Sequence, residues 1–322
     1  MVVDRHWLFQ LSVSDMKSLF DRMACQVITR LFMLLGRVPL DRGRRLGAFL
    51  GHLIFVCDSK HREIAIENLF HAFGREKGSR QIRELARRVF RGLGQILFEM
   101  GWFLRLDKKD FHKYFLIEGL SNLTRAYEKG KGVLIITAHM GNWELLTVVI
   151  AMTGYPASIV VRPLEFRPLE EFFIRYRTRF GGKLIPKKYS MRMVMKSLAK
   201  KEMVGMLMDQ NVDWYDGVFV DFFGRPACTN KGLALLALHT GAPVVPVFLV
   251  RDKSCFKAEF GPEVPLVQTG DKTKDVEVNT QQYTKVIESF IRRYPDQWFW
   301  VHQRWKTRPY HLWPRDEVVS GQ

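Results

Sequence analysis

Short apolar segments alternate with helical segments between residues 132 and 294, and this alternation restricts the fold more than any other feature of the 322-residue chain. Strand patterns occupy residues 132–137, 157–161, 183–185, 203–208 and 244–250. Helical segments are predicted over residues 142–152, 169–180, 191–200, 231–239 and 280–294. Such alternation predicts an α/β fold, with a mixed central sheet flanked by helices on both faces. Two further predictions are an edge strand over residues 254–260 and a polar loop over residues 263–279.

The first 115 residues are predicted to be mostly helical and to cap this sheet. Residues 23–36 and 46–57 are apolar pieces separated by basic residues, and each is shorter than the roughly 20 residues that a spanning helix needs. We interpret the pair as helices that lie in a membrane interface, where arginines meet lipid phosphates; two ordinary core helices are the alternative. The predicted units are an N-terminal helical membrane-associating segment, residues 1–60, and an α/β domain, residues 61–322.

No secretory signal and no later membrane span are predicted. Acidic residues interrupt the N-terminus, which lacks a short apolar core ahead of a small-residue cleavage site. Residues 145–161 and 232–250 are free of charge, but glycine and proline break each of them. Each stretch is therefore interpreted as a buried helix, a turn and a buried strand.

The chain is strongly basic, with 50 Lys and Arg against 33 Asp and Glu and a formal net charge of +17. This excess favours anionic partners such as anionic lipid or an acidic protein. No nucleic-acid-binding fold or aromatic-basic platform stands out, so no nucleic-acid partner is expected. A candidate basic patch, with a solvated helix face as its alternative, comprises Lys187, Lys188, Arg192, Lys196, Lys200 and Lys201.

No metal or cofactor is expected. The four cysteines lie far apart and form no CxxC pair, and no cluster of His, Asp and Glu has metal-ligand spacing. Cys228 lies in a segment that is interpreted as a turn leading into a helix, and it is a weak candidate nucleophile. The chain contains no GxSxG elbow, no Walker lysine loop and no GxGxxG turn.

His139 directly follows the predicted strand 132–137, in the segment TAHMGNWE. Ligands gather at the carboxyl ends of strands in open α/β sheets, and an imidazole placed there is a suitable general base. Glu144 is expected in the first turn of the next helix, where it would accept a hydrogen bond from the ring and fix its tautomer. Gly141 and Asn142 are expected to form the intervening turn. A capping or core histidine is the alternative.

The spacing of His139 and Glu144 is not specific by itself. The same spacing occurs at His71/Glu76 and at His311/Asp316, but neither of those pairs follows a buried strand and opens a helix. Direct attack by a substrate hydroxyl, with His139 as the base, would require no protein nucleophile.

An ordered set of motifs then resembles the lipid A biosynthesis acyltransferases, the late acyltransferases of Gram-negative bacteria, across most of the chain. The motifs are AHMGNWEL (138–145), VRPL (161–164), RTRFGG (177–182), MDQ (208–210), FVDFFGRPA (219–227), TGAPV (240–244) and QWFWVHQRWKTRP (297–309). The N-terminal helices resemble the family only in composition, and they lack the single clear span of many members.

The resemblance implies an O-acyltransferase that moves a fatty acyl chain from acyl-acyl carrier protein onto a hydroxyl of a membrane glycolipid. His139 and Glu144 occupy the positions of the family's HX4(D/E) motif. Asp209 matches a downstream aspartate of the family. Among the alternating arginines 175, 177 and 179 we choose Arg177 as the site arginine, with Arg162 as a second one.

We expect Arg162 and Arg177 to bind acceptor phosphates through paired hydrogen bonds. Asp209 would anchor an arginine or position His139 indirectly; an N-cap is its alternative role. Asn142 is placed in the substrate site, and backbone N–H groups near Gly141 and Asn142 are expected to hold the oxyanion of the reaction.

The predicted function is acylation of a lipid A precursor at the cytoplasmic face of the inner membrane, by a peripheral or monotopic protein. The expected partners are acyl carrier protein, the glycolipid acceptor and the anionic membrane surface. Acylation of another amphiphile, such as a lysophospholipid, an ornithine lipid or a phosphatidylinositol glycoside, is the enzymatic alternative. A non-catalytic basic lipid-binding protein is the alternative from another class.

Overall fold

The computed structural model describes residues 13–309, with the side chains of residues 19–309. The N-terminal part is helical, and its longer helices are α1 (Val13–Leu35), α2 (Leu40–Cys57), α3 (Ser59–Phe73) and α4 (Ser79–Phe103), followed by the short α5 (Phe111–Tyr114). The prediction that residues 1–115 are mostly helical is confirmed for the part that is described. His311 and Asp316 lie outside the described residues.

The remainder alternates strands with helices. Its strands are β1 (Phe115–Glu118), β2 (Val133–Thr137), β3 (Ala157–Val161), β4 (Lys183–Pro186), β5 (Met203–Leu207), β6 (Gly217–Phe222), β7 (Arg225–Asn230), β8 (Val244–Asp252) and β9 (Cys255–Phe260). Its helices are α6 (Leu120–Glu128), α7 (Leu146–Thr153), α8 (Arg167–Thr178), α9 (Ser190–Ala199), α10 (Gly232–Thr240) and α11 (Lys272–Arg293).

Seven strands form one mixed sheet in the order β1-β9-β8-β2-β5-β3-β4. The five strands from β8 to β4 are mutually parallel, whereas β9 is antiparallel to β8, and β1 is parallel to β9. β2 and β5 pair with Val133 opposite Met203, so their carboxyl ends meet at the same edge of the sheet. That edge positions the candidate site.

Both faces of the sheet are covered by helices, as the apolar strands predicted. Along β8, alternate residues enter two different cores: Phe248 and Val250 pack on one side, and Val247 and Leu249 on the other. The predicted α/β fold with helices on both faces is therefore confirmed.

The N-terminal helices α1 and α2 pack against α4. Glycines allow α2 and α4 to approach closely, because a Cβ at Gly51 would lie 2.0 Å from the carbonyl oxygen of Phe90, and one at Gly94 would lie 2.1 Å from that of Gly47. No single helix among the described residues is long and apolar enough to cross a membrane, although α1 and α2 meet that test together as a pair bent by 113°.

Three local predictions need correction. The strand predicted over residues 254–260 is present as β9, but it does not lie at the edge, because β1 pairs with β9 on its outer side. The predicted loop 263–279 ends at Asp271, whose side chain caps α11 by accepting hydrogen bonds from the backbone of Thr273 and Lys274. Cys228 lies inside β7 of the β6–β7 hairpin rather than in a turn before a helix.

Candidate active site

Three parallel strands bring predicted site residues to one edge of the sheet. His139 follows β2, Asp209 follows β5, and Arg162 follows β3. β5 lies between β2 and β3 in the sheet, so the three chain segments leave it side by side. The position of His139 at the carboxyl edge of the sheet is as predicted from the sequence.

The carboxylate of Asp209 holds His139 directly. Oδ1 lies 2.9 Å from the ring Nδ1 of His139, and Oδ2 accepts a hydrogen bond of 2.9 Å from the backbone N–H of the same residue. The indole of Trp298 donates a third bond of 2.7 Å to Oδ2. The Asp209 side chain is fully buried, whereas that of His139 is 19% exposed, so the ring bridges a buried anion and the surface.

Asp209 is ionised in this setting. Burial by itself would raise the pKa of this carboxyl group, but the electrostatic attraction and the hydrogen bonds of His139 outweigh burial and hold the pKa well below its usual value. Because an ionised carboxylate only accepts hydrogen bonds, Nδ1 of His139 carries the hydrogen and Nε2 is left to take a proton. The arrangement has the geometry of a general base with its orienting carboxylate.

Glu144 does not perform the orienting role predicted for it. Its carboxylate forms a bidentate ion pair with Arg177, in which Nε and Nη2 of the guanidinium lie 2.8 and 2.7 Å from the two oxygens. Burial lowers the pKa of Arg177, but the hydrogen bond and charge of Glu144 raise it overall. Glu144 does not orient His139 because Asp209, at the end of β5, lies closer to the ring, and because Arg177 of α8 binds the carboxylate of Glu144.

The three alternating arginines of α8 and its C-terminus have separate roles. Arg175 pairs with Glu171 on the surface of the same helix. Arg179 donates to the carbonyl oxygens of Phe103 and Leu106, and so fastens the end of α4. Only Arg177 reaches the His139 motif, through Glu144, which agrees with the choice made from the sequence. Because Glu144 binds two of the three guanidinium nitrogens of Arg177, Nε and Nη2, that edge of the group is not free to bind a phosphate as expected. Arg162 is exposed at the end of β3.

The side chain of Asn142, which was predicted to lie in the substrate site, is fully buried and contacts a charged group of the protein. Its Nδ2 donates a bond of 3.0 Å to Glu99 of α4, which is also held by Arg44 and, through two bonds of 2.8 Å, by Arg251. The Asn142 side chain makes no capping bond to the turn that follows it. Its role in the structure is to tie the motif to a buried charge cluster.

Gly141 adopts a left-handed conformation with φ +57°, and a Cβ there would lie 2.3 Å from the carbonyl oxygen of Leu249. Its N–H donates a bond of 2.8 Å to the carbonyl oxygen of Gln297. The expectation that this N–H holds the reaction's oxyanion is therefore wrong for this conformation. The same segment 297–299 also donates to His139, because the backbone N–H of Phe299 lies 3.0 Å from the carbonyl oxygen of His139.

Sequence reasoning missed the groups that surround the ring. The Nε2 of Gln210 lies 3.5 Å from Nε2 of His139, and the rings of Trp143 and Phe299 lie 5.0 and 6.0 Å from the imidazole. Trp298, which carried no site role in the sequence analysis, binds Asp209. Gln210, Trp298 and Phe299 were visible in the motifs MDQ and QWFWV, but no spacing rule connects segments about 70 and 160 residues away with His139.

No group of three or more His, Cys, Asp and Glu side chains that could hold a metal ion occurs among the described residues. Cys228 is fully buried, and burial raises the pKa of its thiol, which disfavours the reactive thiolate. The site is thus an imidazole, a buried carboxylate, an amide and an adjoining Glu–Arg pair. This set suits proton transfer from a hydroxyl that attacks an activated acyl group.

Comparison with known proteins agrees with this chemistry. The profile of the family described as "Bacterial lipid A biosynthesis acyltransferase" matches residues 20–307, which is most of the chain. The chain belongs to this family. The resemblance stated from the sequence motifs is confirmed, and the protein is an acyltransferase of the lipid A biosynthesis family.

Curated relatives show which acyltransferases it is similar to. The chain is 30% identical over 271 residues to the lipid A biosynthesis palmitoleoyltransferase of Escherichia coli (strain K12), covering 83% of this chain and 84% of the relative. It is 26% identical over 266 residues to the lipid A biosynthesis lauroyltransferase of the same strain, with coverage of 82% and 85%. Phosphatidylinositol mannoside acyltransferase of Mycolicibacterium smegmatis is 25% identical over 190 residues, or 58% of this chain and 60% of that protein.

Proposed function

We propose that this acyltransferase moves a fatty acyl chain from acyl-acyl carrier protein onto a hydroxyl of a lipid A precursor at the cytoplasmic face of the inner membrane. The observation that carries the proposal is the partly exposed imidazole of His139, which is held by the buried Asp209 at the edge of the sheet. His139 would supply the general base in a family that includes lipid A palmitoleoyl and lauroyl transferases.

The proposed reaction begins when Nε2 of His139 takes the proton of the acceptor hydroxyl as its oxygen attacks the thioester carbonyl carbon. A carbon–oxygen bond forms, and the carbonyl becomes a tetrahedral oxyanion. The carbon–sulfur bond then breaks, and the thiolate leaves and receives the proton from the imidazolium. General-base catalysis of this kind typically contributes about 10²–10⁴-fold in rate.

Each neighbour has a proposed part in this reaction. Asp209 fixes the tautomer of His139 and stabilises the imidazolium. Gln210, whose amide lies 3.5 Å from the reacting nitrogen, is placed to bind the acceptor hydroxyl or the oxyanion. Glu144 is a positioning residue that holds Arg177 beside the motif, and the exposed Arg162 is available to an acceptor phosphate.

We further propose that the N-terminal helices lie in the membrane interface. A stripe on α1 exposes Phe20, Met23, Val27, Leu31 and Leu34, at spacings of three and four residues that place them on one face of the helix. Arginines on the same helix are suited to meet lipid phosphates.

Vesicle co-sedimentation tests this placement. Replacing Val27 and Leu31 together by Asp should strongly reduce pelleting with vesicles of inner-membrane composition, because the stripe then carries two charges. The exposed Trp214 and Tyr215, which lie outside α1 and α2, provide a control pair of Asp substitutions that should leave pelleting unchanged. Equal pelleting of both double variants would reject the placement.

The second candidate acceptor is a phosphatidylinositol glycoside or another amphiphile. It is favoured by the similarity to the phosphatidylinositol mannoside acyltransferase of Mycolicibacterium smegmatis, which covers 58% of this chain. The same base would serve either acceptor, since only the hydroxyl and the carbonyl react.

The deciding experiment offers the purified protein a defined acyl-acyl carrier protein, and acyl coenzyme A as a second donor, with a panel of acceptors read by mass spectrometry. The proposal expects the highest kcat/KM for the carrier-protein donor and the lipid A precursor. In cells, deleting the gene should remove one acyl chain from lipid A. Unchanged lipid A, together with acylation of a phosphatidylinositol glycoside in vitro, would replace the first proposal by the second.

A further inference from the structure

An arginine-rich cavity of about 460 Å³ opens between α2 and α4. Its lining includes Arg44, Arg45, Arg87 and Arg91, together with His52 and Phe49. None of the lining residues belongs to the site around His139, and none of them is acidic. A cavity that concentrates several guanidinium groups without a carboxylate in its wall is suited to an anion.

Much of this positive charge is not neutralised within the protein. The side chains of Arg45 in α2 and Arg91 in α4 form no hydrogen bond or ion pair with any residue in the described range 13–309. Arg87 pairs with Glu84 through one terminal nitrogen, Nη1, and its other terminal nitrogen, Nη2, forms no bond with a described residue. Arg44 differs, because its Nε is bound to Glu99 at 2.9 Å. Three guanidinium groups therefore retain donors for a ligand.

A neighbouring cavity of about 340 Å³ shares Arg91 with the first one. It is partly neutralised, because Asp296 lies in its wall at 3.5 Å from Arg88. The anion therefore belongs in the first cavity.

The first cavity borders an apolar surface. Phe49 lines it and is 62% exposed, and it belongs to a stripe of exposed side chains on α2 with Leu46, Leu53 and Val56. These residues follow each other at spacings of three, four and three, so they form one continuous face. A ligand with its anion among the arginines would lay any attached hydrocarbon chain along this face.

We propose that the α2–α4 cavity binds the phosphate of an anionic phospholipid, whose acyl chains lie against the α2 stripe. The guanidinium groups recognise the phosphate through charge-assisted hydrogen bonds. The apolar stripe can contact only the hydrocarbon chain of a lipid, so the site favours a phospholipid over a free phosphate ion. The site is separate from the proposed transfer reaction: it holds the protein on the bilayer by one specific lipid rather than by diffuse attraction.

The test uses dihexanoyl phosphatidylglycerol as the anionic probe and dihexanoyl phosphatidylcholine as the neutral one, both below their micelle concentrations, so that no charged surface is present. Isothermal titration calorimetry measures binding to the full-length protein, to Arg45→Gln/Arg91→Gln and to the control Arg75→Gln/Arg80→Gln. The control removes the same charge from exposed positions outside the cavity. We expect the cavity variant to lose at least about tenfold in affinity for phosphatidylglycerol, and the control to stay within about twofold.

Several results would overturn the proposal. They are equal affinity for the two lipids, equal losses in the two double variants, or displacement of phosphatidylglycerol by inorganic phosphate at concentrations similar to those of the lipid itself. His139→Ala should bind the lipid as the wild type does. Binding without any acyl transfer would thus reject the proposed function but leave this site standing, and transfer without selective binding would do the reverse.

Discussion

Replacing Asp209 by Asn should disable the base without removing a side chain. The carboxylate accepts three hydrogen bonds, from Nδ1 of His139 to one oxygen, and from the backbone N–H of His139 and the indole of Trp298 to the other. An amide has a single oxygen. If that oxygen keeps the two bonds, the NH₂ group faces Nδ1 of His139, which must then accept a hydrogen bond. The hydrogen of the ring moves to Nε2, the atom that must take the substrate's proton.

The opposite orientation of the amide would lose two bonds in a buried place, at about 1–3 kcal/mol for each unsatisfied group. The first orientation therefore prevails, and the imidazole is held in the wrong tautomer. We expect kcat to fall by about 10³–10⁴-fold, which corresponds to about 4–5.5 kcal/mol of activation free energy. KM should change little, because Asp209 is buried and does not contact the substrate.

Two measurements check this prediction: steady-state kinetics of acyl transfer, and the ¹⁵N chemical shifts of the His139 ring in wild type and variant. The wild type should show the hydrogen on Nδ1, and Asp209→Asn should show it on Nε2. A variant that carries the hydrogen on Nε2 but keeps kcat within about tenfold of wild type would refute the role of His139 as the base.

Three further predictions concern neighbouring residues. Glu144→Gln should cost about 2 kcal/mol of folding free energy while leaving the pH dependence of kcat unchanged. Adding Arg177→Leu should recover most of the loss, because the uncompensated charge is then gone. A changed pH profile would instead show that Glu144 acts on the imidazole of His139. Gly141→Ala should cost at least about 2 kcal/mol in urea denaturation, since its Cβ would meet the carbonyl of Leu249 at 2.3 Å, and a neutral effect would contradict the described turn. Burial lowers the pKa of His302 to about 4, so folding stability is lost as pH falls from about 6.5 to 4, by about 3 kcal/mol. His302→Asn should flatten this part of the pH profile, and an unchanged slope would reject the assignment.

The central strands were predictable because each is a buried run of apolar residues followed by a turn signal, as in residues 133–137 before the turn at Gly141. The start of α11 was not predictable, because its first two turns are mostly polar, with only two valines. Asn279 binds both the N–H and the carbonyl oxygen of Val267 in the preceding loop, so a polar helix face is satisfied by tertiary contacts.

Long-range pairings were also hidden from local patterns. The strand β1 has four residues and adds to β9, about 140 residues later in the chain. The turn of the β6–β7 hairpin carries Phe223 at φ +56° before Gly224 at φ +77°, so a two-residue turn with both residues in the left-handed region lacks its usual Asn-Gly or Asp-Gly signature.

The position of His139, the proposed base, followed from its place after a strand, but its partner did not. Local spacing favoured Glu144, five residues away, whereas the contact is made by Asp209, 70 residues away, because β2 and β5 are neighbours in the sheet. Conversely, the sequence distinguished Arg177 from its neighbours only through the resemblance. Its ion pair with Glu144 shows the physical reason, since it alone of the three points at the motif.

The most direct test of the account is the rate of acyl transfer by His139→Ala beside that of His61→Ala, a control on α3 whose exposed ring pairs with Asp58. Both variants should retain the wild-type circular dichroism spectrum. We predict that His139→Ala loses at least about 10²-fold in kcat, that added imidazole restores part of it, and that His61→Ala keeps full activity. A folded His139→Ala protein that transfers acyl chains at nearly the wild-type rate would contradict the central claim.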